Sequence, residues 1–139
     1  MIKKNKDEKY LRALADYQNL EKRVALDRLN LIKYTNAMLL TKLIPVLDDL
    51  ERAQSHLNDP GLTQILLQFT KLLDTEGVKV IDPAGSLFDP SSMDCAEVVE
   101  GEKDKVVATQ LKGYLYQDRV LRPARVTVGN GSVNVKSKL

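Results

Sequence analysis

The sequence predicts an α+β fold: a long N-terminal helix, a short second helix, and a small C-terminal all-β domain. Three observations carry this. From about Asp7 to about Leu57 there is no glycine, and Pro45 is the only proline. The stretch "HLNDPGLTQ" then ends one helical pattern and opens another. After Gly77 the chain changes to short β-type runs separated by glycine and proline.

The first helix is expected from about Asp7, with the basic residues 1–6 frayed. If continuous it spans about 75 Å, at about 1.5 Å per residue. Tyr10, Tyr17, Val24, Leu31 and Met38 recur every seven residues, and Leu11, Ala25, Ile32, Leu39, Val46 and Ala53 form a neighbouring row that Gln18 interrupts. A lone helix cannot bury such a stripe, so a partner helix is expected. The row that follows Leu14 is poor: Glu21, Arg28, Thr35, Lys42. The pairing is therefore loose over residues 1–38. From Leu39 the pattern tightens through Leu40, Leu43, Ile44, Leu47, Leu50 and Leu57, wide enough for a bundle. Pro45 removes one backbone donor; it reads as a kink, with a break as the alternative.

Asn58 or Asp59 can cap the second helix, and Pro60 suits its first turn. Leu62, Ile65, Leu66, Phe69, Leu72 and Leu73 form its stripe, and Gly77 with Val78 closes it. Two helices make a thin core, whereas two chains make a four-helix bundle. Residues 39–77 are thus the expected dimerisation region, with Leu39, Leu43, Leu47, Leu50, Leu66, Phe69 and Leu73 at its interface. Residues 78–139 form the β domain, from the runs "VKVID", "CAEVVE", "KVVATQLKG", "YLYQ", "ARVTV" and "SVNV". "GNGS" at 129–132 either turns a final hairpin or releases the tail. Arg119, Arg122 and Arg125 stand at three-residue spacing among β-forming residues and are expected on sheet.

Composition narrows the function. Apolar residues make up 43% of the chain but aromatics only 5%. The net charge is +2, from 21 basic and 19 acidic residues, a balance that weighs against a nucleic-acid binder. One cysteine permits no internal disulfide and fits a reducing compartment. No apolar run has the length of a membrane span, and "MIKKNKDEKY" is too polar for a signal peptide. His56 at a helix end reads as solvated or capping, and Cys95 as a small buried strand residue. There is no metal spacing and no phosphate-cradling glycine loop, so neither an enzyme nor a cofactor is expected. Asp48 reads most simply as the i,i+4 ion-pair partner of Arg52.

Four stretches carry a family resemblance. "YLRALADYQNLEKRV" resembles the long-helix signature L-R-x-x-A-(D/E)-x-x-N-x-x-(K/R)-R of the GrpE nucleotide exchange factors. "LLTKLIPVLDDLERA" resembles their L-L-P-V-x-D-x-L-(D/E)-R-A motif with its in-helix proline. "EGVKVIDPAGSLFDPSSMDCAEVVE" and "LKGYLYQDRVLRPARVTV" resemble their F-D-P-x-x-H-x-A and K-G-Y…R-P-A-x-V-x-V segments. The match covers about residues 8–128 in order. Met93 stands where the family usually has His, and Cys95 where it usually has Ala. The loop at 54–61 is short, the leading helix is shortened, and the family's acidic N-terminal tail has no counterpart in these residues.

The resemblance implies a parallel homodimer with a paired helix, a four-helix bundle and a β-wing on each subunit. It implies a cytoplasmic, bacterial-type partner, the nucleotide-binding domain of the heat-shock chaperone DnaK, which the wing prises open so that ADP leaves. On this reading Arg119 and Arg122 pair with chaperone carboxylates; the bland reading leaves them solvated or paired with Asp118 or Glu97. Arg125 falls at a variable position and reads as surface. Asn19 and Arg23, four apart on one helix face, either meet the chaperone or set the register of the helix pair. Gly61 gives either a close approach to the partner or a turn, while Asp89 and Pro90 read as turn formers. Other classes are a coiled-coil adaptor without exchange activity and a basic-arm nucleic-acid binder using Lys3, Lys4, Lys6 and Lys9. The arginine-rich wing signature weighs against the first, and the charge balance against the second.

Overall fold

The computed structural model describes residues 2–132. Helix α1 spans Ile2–Leu57 and helix α2 Pro60–Thr75. Six strands follow: β1 Val78–Ile81, β2 Met93–Val99, β3 Val106–Leu111, β4 Gly113–Tyr116, β5 Arg119–Arg122 and β6 Ala124–Gly129. The chain divides into two compact units, Met1–Leu39 and Leu40–Leu139.

The first unit is helical from Ile2, so residues 2–6 are not frayed as expected. Extending a helix already formed adds a hydrogen bond per residue without a new nucleus. Every residue from Ile2 to Thr35 is exposed. That includes the seven-residue row: Tyr10 is 68% exposed, Tyr17 63%, Val24 57% and Leu31 64%. Within one chain this stripe buries nothing.

In the second unit the helix continues through Pro45, which overturns the alternative of a break there. Pro45 lies on the exposed side, where water can satisfy the carbonyl its missing donor would have reached. Leu40, Ile44 and Leu47, spaced four and three apart, are buried. Asn58, at φ 48°, closes α1 with its N–H on the Gln54 carbonyl at 2.9 Å. Asp59 caps α2 by accepting from Gly61 N–H at 2.7 Å, and Pro60 opens the first turn. Gln54 staples this turn: its amide donates to the Asp59 carbonyl at 3.0 Å and accepts from Asp59 N–H at 3.2 Å. Gly77, at φ 87°, ends α2 as the left-handed residue and places Val78 in the core.

The β region is two three-stranded sheets, ordered β1-β4-β5 and β2-β6-β3. β6 runs parallel to β2 and antiparallel to β3. Met93, Val106, Ala124, Val126 and Val128 form the core of this second sheet, with Ile81 and Phe88 packed against it. Met93, at the position of the family's usual histidine, is therefore a core residue; its Sδ accepts from Asp89 N–H at 3.4 Å. Pro123 separates β5 from β6 and passes the chain from one sheet to the other. β5 puts Arg119 and Arg122 on a strand, as expected from the β-formers around them, although "RVLR" by itself has two long charged residues around only two apolar ones. Asn130 to Ser132 run beside Val99–Gly101, bonded through Asn130 N–H to Val99 O and Gly101 N–H to Ser132 O at 2.9 and 3.1 Å. The run "SVNV" beyond Ser132, and with it the proposed final hairpin, lies outside the described residues.

Candidate functional site

The β4–β5 hairpin presents the arginines. Its two-residue loop is Gln117-Asp118, with Gln117 at φ 52° and its N–H on the Gly77 carbonyl at 3.2 Å. Arg119 stands opposite Tyr116, Val120 opposite Leu115, and Arg122 opposite Tyr114. Leu121 is the extra residue of a bulge between these pairs. Residues three apart on a regular strand point to opposite faces, but the bulge returns both arginines to the side of the two tyrosines. The tyrosines are buried, Arg119 is exposed, and Arg122 is half-buried.

Arg122 is engaged on all sides. Its Nη1 donates to Asp48 Oδ2 and its Nη2 to Asp48 Oδ1 at 3.1 Å, a bidentate ion pair with side chains only 20% and 14% exposed. Nε and Nη2 also donate to the Lys112 carbonyl, at 3.1 and 2.5 Å. The guanidinium carbon lies 5.4 Å from the centre of the Tyr114 ring. Its partner is thus neither solvent, nor Asp118, nor Glu97, but a helix residue 74 positions earlier. The expected Asp48–Arg52 pair is corrected accordingly. Arg52 pairs with Asp49 at 3.2 Å on the exposed face, while Asp48 turns toward the sheet. One helical turn on, Glu51 faces Lys112 Nζ at 3.7 Å. Asp48, Lys112 and Tyr114 were missed as site residues. The available signal was an acidic residue four positions after Ile44 and next to Leu47, on the apolar side of the helix.

Tyr114 is 1% exposed, and its phenol is pushed up to about 12 by burial first, and then by Glu51 and Asp48, with Arg122 opposing. The unfolded chain ionises near pH 10, and the fold resists until about 12. Stability is therefore whole below about pH 10 and is lost as pH rises through about 12, by at most about 3 kcal/mol for this group. Urea unfolding at pH 9 and pH 11.5 should show a steeper loss in the parent than in Tyr114→Phe. Equal losses would place the phenol in a solvated site.

The other candidates lie elsewhere. Asn19 and Arg23 are exposed in the first unit. Gly61 donates its N–H to the Asp59 cap of α2, and a Cβ there would meet Asp59 Oδ1 at 3.2 Å. Asp89 is a turn former: Oδ1 accepts from Ser91 N–H and Oγ at 3.0 and 2.7 Å, and these bonds hold its carboxyl below the usual range. Arg125 is exposed on β6. Cys95 is exposed, not buried as expected, because β2 is an edge strand and bulges just beyond it. Of the expected dimer residues, Leu47 and Leu73 are already buried within one chain. Leu43, Leu50, Leu66 and Phe69 are half-buried, and Leu39 is exposed. On α2 the open apolar face is Ile65, Phe69 and Leu72, which line a shallow groove of about 410 Å³. Among the described residues no helix is long and apolar enough to cross a membrane. Nor is any group of three or more His, Cys, Asp or Glu among them placed to hold a metal ion.

Comparison with known proteins agrees with this architecture. The family model described as GrpE matches residues 2–130. The chain is 39% identical to "Protein GrpE" of Lactobacillus johnsonii over 90% of its own length and 72% of that protein's. It is 35% identical to "Protein GrpE" of Meiothermus ruber, over 89% and 74% of the two chains. A third relative, "Protein GrpE" of Carboxydothermus hydrogenoformans, is 38% identical over 86% and 66%. With a family match over nearly all of the described residues, an exposed helical stripe and a two-sheet β region, the chain belongs to the GrpE family.

Proposed function

We propose that this protein is a nucleotide exchange factor of a DnaK-type chaperone. It binds the chaperone's nucleotide-binding domain, holds the cleft open and lets ADP leave, with no chemistry of its own. The observation that carries this is the family match over residues 2–130. It acts in the cytoplasm of a bacterial-type cell as a homodimer. The exposed row Tyr10, Tyr17, Val24, Leu31 pairs with a second copy, and the α2 face Ile65, Phe69, Leu72 completes a four-helix bundle.

Arg119 is the foremost contact with the chaperone, with Asn19 and Arg23 as a second contact on the long helix. Arg119 lies at the exposed end of a hairpin, where an acidic partner surface can reach it. Holding the cleft open requires tighter binding to the open state than to the closed one, since equal affinity shifts nothing. A charge pair desolvated in the complex supplies on the order of 2 to 5 kcal/mol of that difference.

The test is stopped-flow release of a fluorescent ADP analogue from a DnaK-type chaperone. The parent should speed release. Arg119→Ala should slow it at fixed concentration with the subunit's melting unchanged, Arg119→Lys should recover part of the loss, and Arg125→Ala should do much less. A parent that leaves ADP release unchanged would point to the adaptor class. A fully active Arg119→Ala would return that arginine to the wing's own surface.

A further inference from the structure

We propose that the Asp48–Arg122 pair is a positioning clasp: it fixes the bearing of the β4–β5 hairpin on helix α1, and so the angle at which Arg119 meets the chaperone. This rests on the exchange-factor reading above.

Apolar packing alone does not set the bearing of the hairpin on the helix. Between the helices and the β1-β4-β5 sheet runs a groove of about 590 Å³, with Leu47, Leu73, Val78 and Tyr114 along it. Leu47, Leu73, Val78 and Tyr114 are buried, but Leu67, Lys71, Lys79 and Val80 along the same groove are exposed, so the contact between helices and sheet is left open there. A contact of that kind holds two layers together without fixing their angle, because dispersion and burial are not directional. The bidentate Asp48–Arg122 pair is directional: two parallel N–H···O bonds hold one plane against another. Two further donors of the same guanidinium end on the Lys112 carbonyl, so it is locked to the sheet as firmly as to the helix. Glu51 and Lys112, a turn along, add a second polar link beside the first. Two links in line along a helix oppose rocking, whereas one leaves a pivot.

A purely stabilising role explains the arrangement less well. A charge pair this buried gives folding little that apolar residues of the same volume do not, whereas it specifies geometry. The sheet also has no slack through which a shift of Arg122 could dissipate. A Cβ on Gly113 would lie 2.8 Å from the Arg122 carbonyl and 2.5 Å from Ala124 N. Arg119 is on the same four-residue strand and the same face as Arg122, so tilting one end of the hairpin swings the other. Arg122 is then a positioning residue that acts through Arg119 and touches no chaperone atom itself.

Two measurements on the full chain test this. The first needs no chaperone. Nitroxide labels at Ser55→Cys on α1 and Asp118→Cys on the hairpin, in a Cys95→Ala background and diluted with unlabelled chain, report the angle as a distance distribution. The parent should give one narrow distribution, and Asp48→Asn and Arg122→Lys should each broaden it. The second is ADP release over a concentration series. Both variants should keep the half-saturating concentration within about twofold while the plateau rate falls about fivefold, and the double variant should lose no more than either single one. Arg119→Ala should instead raise the half-saturating concentration. Narrow distributions in both variants overturn the clasp whatever the chaperone does. A broadened distribution with an unchanged plateau overturns its link to exchange. A parent without exchange activity removes the functional reading and leaves the distance result to stand alone.

Discussion

Leu47→Asp should unfold the unit that joins the helices to the β region, whereas Leu72→Asp should leave that unit folded and prevent dimerisation. The two leucines look alike in sequence, both on helical stripes. In the structure Leu47 is 2% exposed and Leu72 56% exposed. A carboxylate at Leu47 would sit beside the buried Leu73, Val78 and Tyr114, in a place shaped for an apolar side chain. An unpaired buried charge of this kind is destabilising by on the order of 5 kcal/mol, comparable with the whole stability of a small domain. The expected result is loss of the cooperative near-ultraviolet signal of the tyrosines at room temperature. At Leu72 the carboxylate meets water in the free chain, so the subunit keeps its melting behaviour to within about 0.5 kcal/mol. In a dimer joined through α2, two such charges would be buried against apolar partners. Sedimentation equilibrium should then show a folded monomer. A dimer of parental strength from Leu72→Asp would move the interface off this face, and a folded Leu47→Asp would show that the groove admits enough water to solvate the charge.

Leu47 also shows where the sequence could and could not be read. Its stripe, the caps at Asp59–Pro60 and Gly77, and the turn at Asp89 are local signals, each decided within a few residues, and the structure has them where they were expected. Which side of a stripe faces its own chain and which stays open is not local. Leu73, expected at the interface of two chains, is already buried within one, while Ile65 and Leu72 on the same stripe are exposed. Strand pairing is likewise set by partners far apart in sequence. The order β2-β6-β3 brings Cys95 beside Val126 and leaves it exposed on an edge, which its neighbours in sequence do not announce. The Asp48–Arg122 pair spans 74 residues. Both residues were legible as family-motif positions, but their partnership was hidden behind the nearer Arg52. The bulge at Leu121, which aligns Arg119 with Arg122, has no glycine or other local mark.

Gly129→Ala should be the most damaging single-methyl change in the second sheet. Gly129 ends β6, the central strand, and in sequence it belongs to "GNGS", which reads as a hairpin turn or as the release of the tail. The structure gives it a different reason. A Cβ there would stand 2.1 Å from the Glu102 carbonyl oxygen and 2.7 Å from the Gly101 carbonyl carbon, both backbone atoms that no side-chain rotation can move. Four hydrogen bonds hold those strands at that distance: Gly129 N–H to Lys105 O at 2.9 Å, Asp104 N–H to Gly129 O at 3.2 Å, Asn130 N–H to Val99 O at 2.9 Å and Gly131 N–H to Gly101 O at 2.9 Å. Relief requires the 101–105 loop to lift away, which breaks several of these together. The expected loss is on the order of 4 kcal/mol, at the upper end of single substitutions. Gly85→Ala is the control: Gly85 has φ 86° but nothing within 4 Å of its added methyl, so only the backbone term of about 1 kcal/mol applies. Urea unfolding followed through the tyrosines should rank the parent above Gly85→Ala, and Gly85→Ala well above Gly129→Ala. Equal midpoints for the two variants would mean that the 101–105 loop yields freely, and that Gly129 is there for the turn after all.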